Sequence, residues 1–304
     1  MEASSKDFLK LHFIVFLWGF TAILGNEMTI PSTDVVMYRT ALASVVLAGF
    51  MYFKSKTFQV NRAELTPLIL VGFIIAAHWF LFFESARVSN VSVSLAGMAT
   101  TTFWTSLIEP LFNKRKIRLF EVVLGLVVIS GLYVIFRFEF NNALGLGLAM
   151  ASAFMAALFS VLNGKMTHRL SQYTITFYEM ASAAIGIAIF IPFYKHFFLG
   201  ETTIYALPTT RDWGLLFILS VVCTVYAFSA SVELMKRITA YVVNLTINLE
   251  PVYGIILAVI IYGENEEMSA GFYYGTLIIL GAVLSYPVIR RSQRKALEKR
   301  RNLA

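Results

Sequence analysis

The sequence has little of what catalysis and metal binding usually require. It contains one cysteine, Cys223, and four histidines in 304 residues. A lone cysteine excludes a disulfide framework and a cysteine-based metal cluster, and we expect it to pack as a small apolar residue. The histidines are scattered without the spacing of metal ligands, and no HExxH segment occurs. We therefore expect no metal and no cofactor.

Signatures of nucleotide hydrolysis and nucleophilic catalysis are also missing. No GxxxxGKS or GxxxxGKT segment occurs, so the chain is not expected to hydrolyse ATP. No Ser–His–acid grouping is suggested, and Asp7, Asp34 and Asp212 are all placed outside the predicted helices. A membrane enzyme is therefore the weaker alternative, and the chain is not expected to be an enzyme.

Charge is scarce and apolar residues are abundant. Charged residues make up 14% of the chain and hydrophobic residues 58%. A soluble core of this length does not need so much apolar surface, whereas a lipid-facing bundle does. Ten apolar stretches approach or reach the ~20 residues that a helix needs to cross the hydrocarbon core, which predicts an all-α integral membrane protein. The stretches are 10–26, 33–53, 66–85, 91–112, 119–136, 143–163, 173–194, 213–231, 241–262 and 271–289.

The formal net charge of +7 could suggest a nucleic-acid partner, but the distribution of the charge indicates a membrane. With the N-terminus inside, twenty of the 25 lysines and arginines fall on the cytoplasmic side, and four fall outside. The positive-inside rule then predicts that both termini are cytoplasmic. The expected partners are the lipid bilayer and a small-molecule solute, with no nucleic acid. A monomer and a homodimer both stay open.

The ten stretches fall into two halves of five. Because five crossings reverse direction, a second copy of the first half would insert upside down, and such inverted repeats are typical of secondary transporters. The predicted repeats are 10–136 and 143–289, followed by a basic cytoplasmic tail at 290–304. Their spacing agrees, since Gly125 and Gly131 in the fifth stretch match Gly275 and Gly281 in the tenth.

Several short segments form a recognisable set: Leu17-Trp18-Gly19, Tyr38-Arg39, Leu249-Glu250-Pro251, Tyr262-Gly263-Glu264, Gly275 and Gly281. With these segments the chain resembles the EamA family of the drug/metabolite transporter superfamily. The first half departs from the family pattern, because Thr101 replaces the proline and Lys114 stands in place of the glutamate. The resemblance implies a ten-helix permease of the bacterial inner membrane that works by alternating access. It implies a site formed by helices one, three, four, six, eight and nine.

Charges inside the membrane are functional candidates, because each costs at least ~2.5–3.5 kcal/mol to insert. Arg39 could capture a substrate carboxylate, or it could form a structural ion pair or snorkel to the outer headgroups. We expect Glu84 to be its partner. Glu179 is expected to pair with Arg169 or Arg237.

Two polar stripes are predicted on helices four and nine. Thr101, Thr105 and Glu109 recur at i, i+4 and i+8, and Asn244 and Asn248 recur at i and i+4. The first stripe could be a translocation wall with Glu109 as a proton site. Its threonines could equally bond back to their own helix carbonyls. The asparagines beside Pro251 could form a polar binding patch or hold helices together. Glu250, about 200° around the helix from Asn248, is expected to face elsewhere and could pair structurally.

Aromatic residues at mid-depth indicate a cavity for apolar or aromatic solutes. They are Trp18, Trp79 and Trp104, with His78 beside Trp79. Ordinary packing is the competing interpretation for each of them. His78 could relay protons or could be a hydrogen-bonded packing residue.

These features favour a secondary transporter that exports small metabolites such as amino acids, with proton coupling left open. One arginine, several carboxamides and a set of aromatics fit an amino acid. Phosphorylated solutes such as nucleotide sugars are disfavoured, because phosphate usually needs several cavity lysines or arginines. Drugs and sugars stay as alternative substrates.

Overall fold

The computed structural model describes residues 3–114, 116, 119–138, 140–200, 205–263 and 268–301. In these residues it contains fourteen α-helices and no strand, so the prediction of an all-helical protein is confirmed. In chain order the helices are α1 (Ser5–Gly19), α2 (Thr21–Asn26), α3 (Ser32–Phe53), α4 (Arg62–Val88), α5 (Val91–Met98), α6 (Thr101–Phe112), α7 (Leu119–Phe138), α8 (Ala143–Met166), α9 (Gln172–Tyr194), α10 (Thr210–Phe217), α11 (Ala227–Leu234), α12 (Ala240–Ile247), α13 (Glu250–Tyr262) and α14 (Ala270–Arg301).

Eight helical segments are long and apolar enough to cross a membrane. Two further helices, α7 and α14, contain shorter apolar stretches at Val123–Ile135 and Ala270–Ala282. These two occupy the places of the predicted helices five and ten, so the number ten and the cytoplasmic termini stay predictions. The eight segments are Ser5–Asn26, Ser32–Phe53, Arg62–Val88, Val91–Phe112, Ala143–Met166, Gln172–Phe197, Thr210–Leu234 and Ala240–Tyr262.

The outside of the bundle is apolar, as lipid contact requires. Large hydrophobic side chains such as Val45, Ile189, Ile260 and Leu277 are exposed. Exposed apolar surface of this kind is unfavourable in water and marks a membrane or partner interface. Together with the eight long apolar segments, it identifies a multi-pass membrane protein.

Three of the helices have an aspartate in the first turn. Asp7, Asp34 and Asp212 lie in the first turns of α1, α3 and α10, so the prediction that they lie outside the helices is wrong. The physical reason is that a carboxylate is stabilised at a helix N-terminus by the free backbone N–H groups there. Asp7 and Asp212 also complete capping boxes with Ser4 and Thr209.

Several membrane segments are interrupted. Phe20 separates α1 from α2, residues 99–100 separate α5 from α6, and residues 248–249 separate α12 from α13. Between α10 and α11 the chain forms a π-helix, Ile218–Tyr226. Irregular backbone at membrane depth is tolerated only where it is buried in protein or lines a cavity. The interruptions therefore indicate where a cavity should be sought.

The two halves of the chain interlock rather than forming separate bundles. Helix α3 packs along α9, α4 along α8 and α9, and α7 along α14. Small residues allow close approach, because a Cβ added at Gly72 of α4 would lie 2.6 Å from the Glu179 carbonyl oxygen of α9. A Cβ added at Gly97 would lie 2.4 Å from the Ala149 Cβ. Such close crossings are typical of membrane helices.

Candidate functional site

A central cavity of about 70 Å³ lies among α1, α2, α3, α4, α5, α6, α8, α11, α12 and α13. It is large enough for a few water molecules, because one water needs roughly 10–15 Å³ by this measure. Its aromatic wall is formed by Trp18, Trp79, Phe82, Phe159 and Phe228. Its polar side chains are Thr21, Arg39, His78, Thr101, Ser160, Asn163, Ser231, Asn244 and Glu250.

Arg39 brings a buried positive charge to the cavity. It is 2% exposed, and its guanidinium carbon lies 3.7 Å from the centre of the Trp79 ring. Its Nε donates a hydrogen bond of 2.8 Å to Thr224 Oγ1, while Nη1 has no partner among the described residues. The arginine therefore neither snorkels nor pairs with Glu84, which is half-buried, and the predicted Arg39–Glu84 ion pair is wrong. Stacking on Trp79 replaces that pair.

Glu250 brings a negative charge to the same cavity. It is 8% exposed and forms no hydrogen bond or ion pair with the described residues. Glu250 faces a different side from Asn248, as predicted, but Glu250 is the one of the two that lines the cavity, while Asn248 contacts Thr102 outside it. Helix α12 ends at Ile247 and α13 begins at Glu250, which is the first helical residue after the interruption.

His78 and Trp18 are fixed to the opposite half of the chain. The His78 Nδ1 lies 2.8 Å from Ser152 Oγ on α8, and Ser152 Oγ donates to the His78 carbonyl oxygen at 2.8 Å. The Trp18 indole N–H donates to the Cys223 carbonyl oxygen at 2.9 Å, within the π-helix. These bonds favour a positioning role for both side chains at the cavity wall, and the relay role of His78 stays a prediction.

A hydrogen-bonded group around Asn244 lies at the edge of the cavity. Asn244 Nδ2 donates to Thr105 Oγ1 at 2.8 Å, and Ser160 Oγ donates to Asn244 Oδ1 at 3.2 Å. The Thr105 hydroxyl also donates to the Thr101 carbonyl oxygen at 2.8 Å, as the back-bonding interpretation predicts. Because Asn244 uses both ends of its carboxamide, it ties α12 to α6 and α8 at once.

Four predicted binding residues do not line the central cavity: Trp104, Thr105, Glu109 and Asn248. Asn248 donates a hydrogen bond to Thr102 Oγ1 between α12 and α6, and it does not line the cavity. Trp104 packs edge-on against Phe154 at 5.4 Å between ring centres, also away from the cavity. The helix break after Ile247 separates Asn248 from the direction of Asn244, so the two carboxamides do not form one patch.

Glu179 is buried beside the cavity rather than in its wall. It is 0% exposed, and its Oε2 accepts a hydrogen bond of 3.4 Å from Asn163 Nδ2. The predicted pairing with Arg169 or Arg237 is wrong, because Arg237 binds Asp7 at 2.8 Å instead. A buried carboxylate without a cation costs several kcal/mol by desolvation. An ionised Glu179 carboxylate in this position would therefore be energetically unfavourable.

Glu109 lines a second pocket, of about 310 Å³, which we call the basic pocket. Lys165, His168 and Arg237 line it too, at the end of the bundle that we call the basic end. Met235 lines both the basic pocket and the central cavity, so it stands between them. Thr101, Thr105 and Glu109 therefore run from the cavity past the Asn244 group to the basic pocket. Glu109 as a proton site stays a prediction.

Sequence reasoning missed the contribution of α8. Ser152, Ser160 and Asn163 contact His78, Asn244 and Glu179, whereas the sequence interpretation of this helix rested on its small residues. The signal was present, because polar residues in an otherwise apolar membrane helix must face protein or water. Within the described residues, no group of three His, Cys, Asp or Glu side chains could hold a metal ion. Glu264 lies outside the described residues.

Comparisons with known proteins agree with this architecture. The model of the EamA-like transporter family matches residues 9–137 and 143–286. The uncharacterized transporter YxxF of Bacillus subtilis is 22% identical over 95% of this chain and 92% of its own length. An uncharacterized transporter of Archaeoglobus fulgidus is 24% identical over 92% of this chain and 96% of its own length.

One solved crystal structure supports the fold alone. It superimposes with a TM-score of 0.69 at 16% identity, covering 96% of this chain and 99% of that chain. The family match covers nearly all of the chain in two consecutive segments. The chain therefore belongs to the EamA-like transporter family of the drug/metabolite transporter superfamily.

Proposed function

We propose that this transporter exports small zwitterionic metabolites, amino acids with apolar side chains in particular, across a bacterial inner membrane. One observation supports this proposal most strongly: Arg39 and Glu250 line one cavity with aromatic walls. A guanidinium suits the carboxylate of such a solute, and a carboxylate suits its ammonium group. The aromatic wall suits an apolar side chain.

The charge balance of the cavity argues against phosphorylated solutes. Arg39 is the one lysine or arginine among its lining residues, and Glu250 opposes it. A phosphate group carries more negative charge than one guanidinium offsets, and Glu250 would repel it. Drugs and sugars are less well matched, because most of them would leave one of the two charges without a partner.

Alternating access is the mechanism that we propose for the movement of the solute. The cavity holds only a few waters, so an amino acid requires the surrounding helices to separate. The interruptions at residues 99–100 and 248–249 supply breaks beside the cavity at which half-helices can turn. The inverted-repeat arrangement, the cytoplasmic termini and coupling to protons belong to the same proposal.

The test is uptake of a pool of radiolabelled amino acids into proteoliposomes containing the purified full chain. Arg39→Lys keeps the charge and loses the planar fork, and Glu250→Gln loses the charge. Each should lower uptake roughly tenfold or more, since a hydrogen bond to a charged group contributes about 1.5–3 kcal/mol. Arg62→Lys and Glu64→Gln, in the first turn of α4 and away from the cavity, are the matched controls.

Three results would decide the matter. Loss in the cavity variants with normal uptake in the controls would support the proposal. Wild-type uptake in both cavity variants would contradict the assigned site. No uptake of any amino acid by the wild-type protein would reject the substrate class and leave the family membership intact.

A further inference from the structure

A second carboxyl group, Glu179, is buried behind the wall of the central cavity. It lies on α9, where Gly72 lets α4 approach closely enough for an added Cβ to lie 2.6 Å from the Glu179 carbonyl oxygen. The side chain is 0% exposed. Such tight packing leaves no space for a shell of water, so only protein groups can satisfy this carboxyl.

The hydrogen bonds around Glu179 are one donor short. Asn163 Nδ2 reaches Glu179 Oε2 at 3.4 Å, while Glu179 Oε1 and Asn163 Oδ1 are buried without a partner in the described part of the chain. A carboxylate only accepts hydrogen bonds, whereas a carboxylic acid also donates one. A proton on Glu179 would supply the missing donor and remove the uncompensated buried charge.

The charged and titratable groups on the elements packed around α9 are engaged elsewhere. Arg39 of α3 contacts Trp79 and Thr224, and Asp34 of α3 binds Lys195.

On α4, His78 bonds with Ser152, and Arg87 donates to the carbonyl oxygens of Gly25 and Met28. On α11, Glu233 binds Lys10. Arg62 of α4 forms no ion pair with Glu179 in the described part of the chain, and Glu64 and Glu84 are acids themselves. A proton is therefore the available counter-charge in this arrangement.

Asn163 joins this carboxyl to the cavity. Its side chain lines the central cavity, and the same side chain bonds to Glu179. Ser160, three residues earlier on α8, lines the cavity as well and bonds to Asn244. Water in the cavity is therefore one side chain away from Glu179, and a movement of the Asn163 carboxamide lets that water exchange a proton with the carboxyl directly, while Glu250 stays available to the solute.

We propose that Glu179 is the proton-binding site of this transporter and that Asn163 connects it with the central cavity. This inference rests on the proposed transport function and assigns its coupling ion. Glu179 takes up one proton from water when the cavity opens to one side of the membrane. It returns that proton to water when the cavity opens to the other side, so that no bond other than O–H is made or broken.

The transport test separates coupling from solute binding. Glu179→Gln has nearly the shape of the protonated acid and should fold. In proteoliposomes it should keep exchange of labelled for unlabelled amino acid within about twofold, as no solute contact is lost. It should lose the stimulation by an imposed pH gradient. Glu64→Gln, in the first turn of α4 and away from the cavity, should keep both activities, and Glu250→Gln should lose both.

Two results of the transport test would overturn the proposal. One is stimulation by the pH gradient that persists in Glu179→Gln. The other is stimulation that disappears in Glu109→Gln but not in Glu179→Gln, which would place the proton site in the basic pocket. Asn163→Ala is a second variant that leaves the carboxyl in place. It should slow pH-driven uptake more than exchange, and equal slowing of both would also contradict the proposal.

A measurement without any solute keeps this inference separate from the choice of substrate. Infrared spectra of the purified protein at neutral pH report the C=O stretch of protonated carboxyl groups. The spectrum of each variant is compared with that of the wild-type protein. The wild-type protein and Glu64→Gln should show a band that Glu179→Gln lacks. Its presence would support the proton site even if amino acids are not the solute. An unchanged band in Glu179→Gln would overturn it.

Discussion

The two ends of the bundle hold their charges in different ways. At the end opposite the basic end, Lys195 Nζ lies 3.1 Å from Asp34 Oδ2, and the two side chains are 2% and 0% exposed. At the basic end, Lys10 and Glu233 pair at 2.8 Å with exposures of 36% and 32%. The opposite end thus has a sealed ion pair as well as the more exposed Arg211–Glu27 pair, while the basic end has partly exposed pairs beside an open pocket.

This difference indicates that the contribution of an ion pair to stability depends on how deeply the pair is buried, rather than on how many charges lie at that end of the bundle. Exposed pairs typically contribute about 0–1 kcal/mol, whereas breaking a buried pair by removing one partner costs about 3–5 kcal/mol. Asp34 Oδ1 also accepts the Ala206 N–H at 2.7 Å, so this carboxylate ties the chain before α10 to α3. A cluster of lysines and arginines at one end is typical of the cytoplasmic side of a membrane protein. The few charges within the bundle are the ones expected to govern transport and stability.

The largest predicted effect is on stability at the opposite end. Asp34→Asn should lower the free energy of unfolding by about 3–5 kcal/mol, because Lys195 would stay buried without its counter-charge. Glu233→Gln at the basic end is the matched control, and it should cost about 0–1 kcal/mol. Denaturant unfolding in detergent micelles measures both. Equal losses would remove the distinction between the two ends.

An intermediate effect is predicted at the barrier between the central cavity and the basic pocket. Asn244→Ala removes the hydrogen bonds to Thr105 and Ser160, together about 2 kcal/mol. The reporter is Ser231→Cys, placed in the cavity of a protein that also carries Cys223→Ser. With Asn244→Ala added, this reporter should react roughly tenfold or more faster with an impermeant thiol reagent than it does with Asn244 intact. The reagent is added from the basic end.

Asn248→Ala is the matched control for this barrier. It removes a carboxamide of the same helix that bonds to Thr102 outside the cavity. The labelling rate at position 231 should therefore equal that of the Cys223→Ser, Ser231→Cys protein in which Asn244 and Asn248 are intact. If Asn248→Ala speeds labelling as much as Asn244→Ala, the assigned barrier is incorrect.

The smallest predicted effect is in the basic pocket. Lys165 is exposed, and its Nζ lies 5.3 Å from the centre of the Phe112 ring. Lys165→Ala should change amino-acid uptake by less than about twofold, because exposed charges contribute little. A loss as large as that of Arg39→Lys would move solute selection from the cavity to the pocket.

Sequence patterns predicted more of the fold than of the site. Helix length and apolarity identify the membrane segments, because the bilayer requires them wherever the chain crosses it. The direction of a side chain near a break is not contained in helical periodicity. Asn248 contacts Thr102 outside the cavity that Asn244 lines, although the periodicity of a continuous helix nine places the two asparagines on one face.

Partners across the bundle were the least predictable feature. Arg39 stacks on Trp79 instead of pairing with Glu84, and Glu179 meets Asn163 instead of an arginine. Electrostatic reasoning from one sequence matches opposite charges, whereas the packed structure also offers rings and carboxamides as partners. A polar residue in an apolar helix, such as Asn163, is the sequence signal that would have improved the prediction.

The central claim is that Arg39 and Glu250 together recognise a zwitterion. The most direct measurement is calorimetric binding of three matched solutes to the purified protein: phenylalanine, phenethylamine and 3-phenylpropionate. The second lacks the carboxylate, and the third lacks the ammonium group. Phenylalanine should bind at least about tenfold more tightly than either analogue, because each analogue leaves one buried charge without a partner. Equal binding of either analogue would contradict the account.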